Sequence, residues 1–223
     1  MPRRSVPPNR PPLTRERILR CGVELTDREG LDSLTMRSLA AELGFEVMSL
    51  YNHVRTKDDL LDGMLDVVAG EVELPGPEEE WKPALRHSVI SARDMLSRHP
   101  WAAPQWFTRL PGPHRLELME SWLRVLATSG LDPVTAHQGF HALTNHVVGS
   151  ALQQPLAPDD VTSSDPSQAH AFLATLPEGA FPHLVEHVRQ HIEGDNGEGT
   201  FEFVLDRILD GLASRRQRAP TTA

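Results

Sequence analysis

The sequence predicts an all-α protein in which a small N-terminal head precedes a larger helical body. Apolar residues recur at spacings of three and four over most of the chain, the pattern of amphipathic helices. The strict alternation of apolar and polar residues that is typical of strands never extends beyond a few positions. Glycines and prolines divide the chain into segments of helical length, and no segment repeats another.

The first twelve residues predict a disordered arm, because they contain five prolines and three arginines. Two interpretations of this arm stay open. Its arginines Arg3, Arg4 and Arg10 could enter a DNA minor groove or contact phosphates. Alternatively, the arm only keeps the chain in solution. Residues 218–223 are predicted to form a second disordered tail.

Two helices are predicted next, joined by short turns. The first runs from Thr14 to Glu29 and is ended by Gly30. Thr35 can cap the second with its hydroxyl, and Gly44 can end it in a left-handed conformation. The apolar face of this second helix consists of Met36, Leu39, Ala40 and Leu43.

A short third helix completes the head. Leu50 and Val54 are spaced to anchor it on the second helix. Its other side chains are polar, aromatic or flexible, and such a helix suits insertion into a DNA major groove. An ordinary helical hairpin is the alternative interpretation of the same pattern. The side chains in question are Glu46, Val47, Met48, Ser49, Tyr51, Asn52 and His53.

The body begins with a helix from Lys57 to about Val72, which is predicted to connect it to the head. A loop is predicted over 155–168, where Pro, Ser and Asp replace the helical spacing. Helical spacing occurs in six further segments, which are 81–99, 116–129, 132–154, 170–176, 182–192 and 200–216.

Charge is unevenly distributed along the chain. Residues 1–57 contain ten Lys or Arg and seven Asp or Glu, a net of +3, whereas the remainder has twelve against twenty-four, a net of −12. Nucleic-acid contact is therefore expected in the N-terminal part, since phosphate repels the acidic remainder. The single cysteine, Cys21, cannot form an internal disulfide, and it is expected to be a buried, inert thiol. No signal peptide or bilayer-spanning run is found, so we expect a cytoplasmic protein without membrane contact.

The head resembles the DNA-binding domain of the tetracycline-repressor (TetR) family of bacterial transcription regulators. The run Leu50-Tyr51-Asn52-His53-Val54, followed three residues later by Lys57, is its most specific match. Other matching residues are Ile18, Cys21, Gly22, Leu25, Gly30, Leu31, Leu34, Thr35, Ala40, Gly44, Leu60 and Leu61. The resemblance implies a helix-turn-helix domain over 13–57, and an effector-binding and dimerisation domain over 58–217.

The resemblance predicts a ligand-responsive transcriptional repressor that binds a palindromic, double-stranded operator as a homodimer. The expected phosphate contacts are Thr35, Arg37, Tyr51 and Lys57, with His53 either at a phosphate or supporting the head. The expected base-edge contacts are Val47, Met48, Ser49 and Asn52. Family members often carry a second aromatic residue where this chain has Asn52, so base preference cannot be transferred from a relative.

The body is expected to bind a partly apolar small molecule and a second copy of the chain. Its aromatic and sulphur side chains could line a ligand cavity, or they could be ordinary core residues. The predicted ligand contacts are Met64, Trp101, Phe107, Trp122, Phe140, His141 and Asn145. In the family, the last helix and the helix over 132–154 pair with their copies in a four-helix bundle. That implies dimer contacts at Leu143, Val147, Val204, Leu205, Ile208, Leu209 and Leu212.

No motif for catalysis is present: there is no nucleophile elbow, phosphate-binding glycine loop or paired CxxC. We therefore expect neither an enzyme nor a cofactor. Histidines four apart, in the sets His137, His141 with His146 and His183, His187 with His191, could hold a divalent metal or simply be polar helix edges. We expect no metal. A small all-α enzyme or carrier using the body pocket, and a helical protein-interaction module, are the competing functions.

Overall fold

The computed structural model describes residues 11–76, 80–153, 166–177, 179–193 and 199–216. These residues form ten α-helices and two short 3-10 segments, with no β-strand among them, so the all-α prediction is confirmed. The predicted arm up to residue 10, with Arg3, Arg4 and Arg10, and the predicted tail over 218–223 lie outside the described residues. Within the described ranges, no helix is both long and apolar enough to cross a membrane.

Three helices form the head. α1 (Arg15–Glu29) begins after Thr14, whose hydroxyl accepts a hydrogen bond from the backbone N–H of Arg17. A 3-10 turn over Leu31–Ser33 leads to α2 (Met36–Leu43), and α3 (Val47–Tyr51) follows. The side chains that fill the space between these helices are almost entirely removed from water. They include Ile18, Leu25, Leu34, Leu39, Leu43, Leu50 and Val54.

The turn between α2 and α3 follows from local sequence. Thr35 caps α2 reciprocally: its Oγ1 accepts from the N–H of Ser38 at 3.0 Å, and the Ser38 hydroxyl accepts from the N–H of Thr35 at 2.9 Å. Gly44 ends α2 with φ of 68°, in the left-handed region that glycine adopts without a Cβ penalty. These two end signals make α2 short and place α3 directly after it.

α4 (Lys57–Ala69) connects the head to the body and packs against α1 very closely. A Cβ added to Gly63 would lie 2.6 Å from Cδ2 of Leu19, so a larger residue at this position of α4 would require the Leu19 side chain to shift. One residue further, Met64 is fully buried, and its sulphur lies against Gly22 of α1. The head and α4 are therefore joined by an interlocked helix pair.

The body helices are α5 (Trp81–Arg98), α6 (Pro113–Thr128), α7 (Pro133–Leu152), α8 (Pro166–Thr175), α9 (Pro182–Glu193) and α10 (Thr200–Ser214). A 3-10 segment over Pro100–Gln105 follows α5. α7 packs against α5, α6 and α10, which makes it the central helix of the body. The fully buried side chains between these helices include Leu85, Val89, Met95, Leu126, Leu143, Leu205 and Leu209.

α8 begins at Pro166, inside the predicted loop over 155–168 and four residues before its predicted start. Two further elements, α4 and α6, each have one bound that differs by three residues from the sequence-based prediction. α4 ends at Ala69 instead of Val72, because the N–H groups of Glu71 and Val72 donate to the carbonyls three residues earlier, at Val68 and Ala69, instead of four. α6 begins at Pro113, three residues earlier than the predicted Leu116, with proline in its first turn. The apolar periodicity did not reach these ends, since both are determined by backbone hydrogen bonding.

Most of the residues predicted to meet a second copy belong to the core of their own chain. Leu143, Leu205 and Leu209 have no exposed surface, and Val147 and Leu212 retain 4% and 8%. A side chain covered by its own chain has little area left for a partner, so only two of the seven predicted residues retain substantial exposed surface. Val204 and Ile208 are half-buried, and Phe203 on the same helix is 64% exposed.

Candidate functional site

The predicted DNA contacts lie at the start of α2, along α3 and at the start of α4. Met48 is 73% exposed and Tyr51 is 41% exposed, although both are large apolar side chains. The other exposed members of the set are Thr35, Arg37, Asn52 and Lys57, and the half-buried members are Val47, Ser49 and His53. α3 is held from beneath by the fully buried Leu50, so its remaining side chains are available to a ligand of the head.

An ion pair fixes the chain immediately after α3. Nη2 of Arg15, on α1, donates to Oδ1 of Asp59, on α4, at 2.6 Å, and Nη1 of Arg15 donates to the carbonyl of His53 at 2.9 Å. Asp59 also accepts from the N–H of Arg55 at 2.8 Å. The hydrogen bond from Arg15 holds the pKa of the Asp59 carboxyl below its ordinary value. The sequence analysis did not predict that these two residues pair.

A cavity of about 240 Å³ lies among α5, α6, α7 and the segment before α6. Its walls are formed by Ala92, Met95, Leu96, Trp106, Phe107, Arg109, Pro111, Arg115, Leu118, Met119, Trp122, Phe140, His141, Thr144, Val147 and Val148. Four of the seven predicted ligand contacts are among them, namely Phe107, Trp122, Phe140 and His141. Phe107 and His141 are exposed as well, which places them at the mouth.

Three predicted ligand contacts do not line this cavity. Met64 is buried in the contact between α1 and α4. Trp101 is buried too, and its indole N–H donates to Asp27 of α1 at 2.7 Å. Asn145 is exposed on α7, away from the cavity walls. These residues were predicted as ligand contacts because of their apolar or amide side chains. Their actual surroundings depend on packing between segments that are distant in the sequence.

Two arginines line the cavity, and the sequence did not point to either. Arg115 is 6% exposed. Its guanidinium donates to the carbonyls of Arg109 at 3.3 Å, Leu110 at 3.4 Å and Trp106, and its carbon lies 4.6 Å from the centre of the Trp106 ring. Burial lowers the pKa of Arg115, and the negative charges of Asp66 and Asp62 partly offset this.

The cavity wall also binds the connecting helix. Asp58, Asp62 and Asp66 follow one another at intervals of four along α4. Arg109 donates to Asp62 at 3.0 Å and to Asp58 at 3.1 Å. Asp66 accepts from the backbone N–H of Arg115 at 3.1 Å and thereby caps the first turn of α6. We call these three carboxylates the α4 aspartate row. Through it, residues that line the cavity contact the helix that carries the head.

A second polar cluster lies where the head meets the end of α5. His99 is 6% exposed, and its Nδ1 donates to Asp27 at 2.9 Å while its Nε2 contacts Glu71 at 3.2 Å. Burial disfavours the charged imidazole, but the hydrogen bonds and charges of Asp27 and Glu71 outweigh burial and raise the pKa of His99. Glu71 in turn accepts from Arg98 at 2.9 Å.

The histidines of α7 differ in their surroundings. The rings of His137 and His141 lie 4.6 Å apart between centres, whereas Nε2 of His146 donates to the carbonyl of Phe201 at 2.9 Å. No group of three or more potential metal ligands occurs among the residues described. The side chain of His191 lies outside them.

Two family models match successive parts of the chain. Residues 18–64 match the family model of bacterial regulatory proteins, tetR family, and residues 74–216 match the tetracyclin repressor-like C-terminal domain. The chain belongs to the TetR family. The resemblance inferred from the head is therefore confirmed, and the TetR family match extends through the body.

Several TetR-type regulators are similar in sequence or structure. An HTH-type transcriptional regulator of Saccharopolyspora erythraea is 41% identical over 63% of this chain and 61% of that protein. The HTH-type transcriptional repressor DrrR1 of Streptomyces coeruleorubidus is 32% identical over 91% of this chain and 78% of its own. The crystal structure of the TetR family protein ActR of Streptomyces coelicolor, in complex with actinorhodin, has a TM-score of 0.79 at 35% identity, covering 93% of this chain and all of ActR (100%).

The predicted function class is confirmed by these comparisons. The chain is a DNA-binding transcriptional regulator of the ligand-responsive repressor type, with operator DNA and a small molecule as its partners. TetR regulators are not enzymes, so the comparisons do not favour an all-α enzyme or a protein-interaction module.

Proposed function

We propose that a homodimer of this chain represses transcription by placing its two heads on the half-sites of a palindromic operator, and that a small molecule in the cavity releases it. Residues 13–57 act as the DNA-binding domain and residues 58–217 as the effector-binding and dimerisation domain. Dimeric binding explains the palindrome, because a two-fold protein matches a two-fold site.

On the head, α3 enters the major groove. Met48 and Asn52 face the bases, with Val47 and Ser49 beside them. An asparagine suits adenine and an apolar side chain suits a thymine methyl. The phosphate contacts are Thr35, Arg37, Tyr51, His53 and Lys57. The exposure of Met48 and Tyr51 supports this assignment. Both side chains are large, and exposing them to water contributes nothing to the stability of a head that binds no ligand.

The α4 aspartate row is the observation that carries the regulatory part of the proposal. A ligand that repositions Arg109 or Arg115 acts on α4 directly, through contacts at Asp62 and Asp66 of 3.0 and 3.1 Å. Half-sites lie roughly 34–36 Å apart, so a small change in head separation prevents both heads from binding together. Differential ligand binding of about 1–3 kcal/mol changes operator affinity roughly 5- to 150-fold.

The dimer contact is made by the outward faces of α7 and α10. α10 is attached to its own body on one side, where Arg86 pairs with Asp206 at 2.8 Å and Arg93 pairs with Glu202. The rest of its surface carries Phe203, which is 64% exposed, and the half-buried Val204 and Ile208, which lie one turn apart. An apolar face of this kind is stabilised by a second copy of itself.

A DNA-binding experiment tests this function. Fluorescently labelled fragments from the region upstream of the gene are titrated with the protein, with random DNA of equal length as the control. We expect a palindromic fragment to bind at least tenfold more tightly than random DNA. The Asn52→Ala variant should lose this preference. Equal affinity for all fragments in moderate salt would contradict operator recognition.

A further inference from the structure

The polar residues of the cavity are all neutral or basic. Four of its sixteen wall residues carry strongly polar side chains, namely Arg109, Arg115, His141 and Thr144, and no Asp or Glu is among them. This absence is notable because residues 58–223 contain twice as many acidic as basic residues, twenty-four against twelve. The charge of the cavity wall therefore has the opposite sign to that of the domain around it.

The two arginines of this wall differ in whether carboxylates are paired with their guanidinium groups. Arg109 is paired with two carboxylates, Asp58 and Asp62. In the described chain, no carboxylate contacts the guanidinium of Arg115, which donates only to backbone carbonyls. Its Nε is buried and has no hydrogen-bond partner at all among the described atoms. Such an unmet donor is rare in folded proteins and costs free energy until an acceptor reaches it.

The surroundings of Arg115 favour a flat aromatic partner. The Trp106 ring lies over the guanidinium, with 4.6 Å between the ring centre and the guanidinium carbon. Trp122 and Phe140 meet edge to face with 6.5 Å between their centres. The Trp122 indole N–H is already bound to the Ser88 hydroxyl at 2.8 Å, so this ring presents only its apolar surface to the cavity. Offset and edge-to-face contacts with such rings favour planar aromatic ligands.

We propose that the effector is a flat aromatic acid whose anionic oxygen, a carboxylate or phenolate, is bound by the guanidinium of Arg115 while its rings lie among Trp106, Trp122 and Phe140. This inference rests on the proposed function of the cavity as the effector site. An arginine binds an anionic oxygen more strongly than it binds a neutral carbonyl. The acid therefore competes with the carbonyls of residues 106, 109 and 110 for the donors of Arg115.

The same competition explains how the ligand acts at a distance. Nε lies beneath neighbouring atoms, so an acceptor reaches it only when the Trp106 ring or the guanidinium shifts. Either shift loosens the segment from Trp106 to Leu110 that Arg115 holds. Arg109 belongs to this segment, and it is the residue that binds Asp58 and Asp62 of α4. Binding of the acid is thus coupled to the connecting helix.

A matched pair of probes tests the ligand class. Anthraquinone-2-carboxylate and anthraquinone-2-carboxamide have nearly the same shape and differ in charge. Isothermal titration of the full chain with each should show the acid binding roughly 10- to 100-fold more tightly, the value of a hydrogen bond to a charged group. Equal affinities, tighter binding of the amide, or no binding of the acid would each overturn the proposal.

Variants locate the effect at Arg115. Arg115→Gln should equalise the two affinities, whereas Arg124→Gln, which removes an exposed arginine of the same helix outside the cavity, should retain the preference. Arg115 also holds three carbonyls, so its loss can disturb the fold. A crystal structure of the wild-type protein with the acid is therefore a second measurement. It should place an anionic oxygen within about 3.2 Å of Nε, and an acid bound elsewhere contradicts the assignment.

These measurements involve no DNA, which separates the ligand class from the regulatory function. If the acid binds at Arg115 but leaves operator affinity unchanged, the ligand class stands and the proposed release mechanism fails. If the operator is bound and no preference for the acid is found, the regulatory function stands and the ligand class is wrong.

Discussion

Arg15 and Asp59 join the first helix of the head to the first turn of α4, with 2.6 Å between Nη2 and Oδ1. The same guanidinium holds the carbonyl of His53, the second residue beyond the end of α3. One arginine of α1 therefore contacts both the residues that follow α3 and the first turn of α4.

We expect Asp59→Asn to destabilise the head by about 1 kcal/mol, because the pair is partly exposed and its charge attraction is screened. The pKa of Asp59 is lowered in the folded chain, so this contribution is present above the unfolded pKa of about 3.9 and is lost as the pH falls through the folded value. Urea unfolding between about pH 3 and 7 measures the difference. Asp32→Asn, an exposed change in the same head, is the control, and an equal loss in both variants would contradict the role of the pair.

Phosphate and base contacts on the head should respond differently to salt and sequence. Lys57→Ala should weaken binding to every DNA sequence alike and flatten the dependence of log affinity on log salt by about one unit. Asn52→Ala should cost about 1–3 kcal/mol on the preferred operator only. Fluorescence anisotropy across a salt series, with selection from random DNA, distinguishes the two. An unchanged operator preference in Asn52→Ala would remove that residue from base recognition.

The contact of His99 with Asp27 and Glu71 should make the junction between head and body depend on pH. The pKa of His99 is raised in the folded chain, so its stabilising contribution is complete below about pH 6.5 and disappears as the pH rises through the raised value. The pKa of Glu71 is lowered, because Arg98 and His99 outweigh the effect of burial. The contribution of Glu71 is therefore lost on the acid side, as the pH falls below about 4.5.

Thermal unfolding between about pH 5 and 9 tests this junction. The melting temperature of the wild type should fall with rising pH more steeply than that of His99→Gln. His137→Gln changes an exposed histidine of α7 and should follow the wild type. Parallel curves for the wild type and His99→Gln would show that the cluster does not titrate in this range.

Arg109 should carry the response to ligand without being needed for DNA binding. Arg109→Gln breaks the pairs with Asp58 and Asp62, so the cavity keeps only the contact between the backbone N–H of Arg115 and Asp66 of α4. We expect the ratio of operator affinities without and with anthraquinone-2-carboxylate to fall from roughly 5- to 150-fold towards one. Arg86→Gln breaks an ion pair within the body and should retain the wild-type ratio. A full response in Arg109→Gln would exclude this route.

The dimer contact can be separated from the core by two substitutions on α10. Phe203→Glu charges a side chain that is 64% exposed and should give folded monomers with weak operator binding. Leu205→Glu charges a side chain without exposed surface and should unfold the body, because an unpaired buried charge is very costly. Light scattering gives the mass and circular dichroism gives the helix content. A dimeric Phe203→Glu protein would place the contact elsewhere.

Sequence alone predicted the helices of the head because their signals are local. Thr35 and Gly44 mark the two ends of α2 by their own chemistry, and the structure has both ends where these residues are. The body was predicted less completely. Periodicity identified the apolar face of α10 but not what covers it, and Leu205 proved to be core.

The cavity was the part of the site that the sequence predicted least well, for a related reason. Trp101 was predicted as a ligand contact because its side chain is large and apolar. Its indole N–H instead donates to Asp27, which lies 74 positions away in the sequence. Arg109 and Arg115 were overlooked because arginines are usually exposed. Their position in a cavity wall depends on hydrogen bonds to Asp58, Asp62 and Asp66 of another helix. No sequence pattern in their own segment indicates those hydrogen bonds.

The absence of a side chain at Gly63 has a mechanical consequence. α4 has thirteen residues and is therefore a rod of roughly 20 Å, since each residue adds about 1.5 Å. A tilt of about 5° at one end displaces the other by nearly 2 Å over such a length. Because Gly63 has no side chain, Leu19 of α1 packs directly against the backbone of this helix. If the proposed release mechanism holds, a small rotation of α4 that begins at the cavity is therefore enlarged at the head.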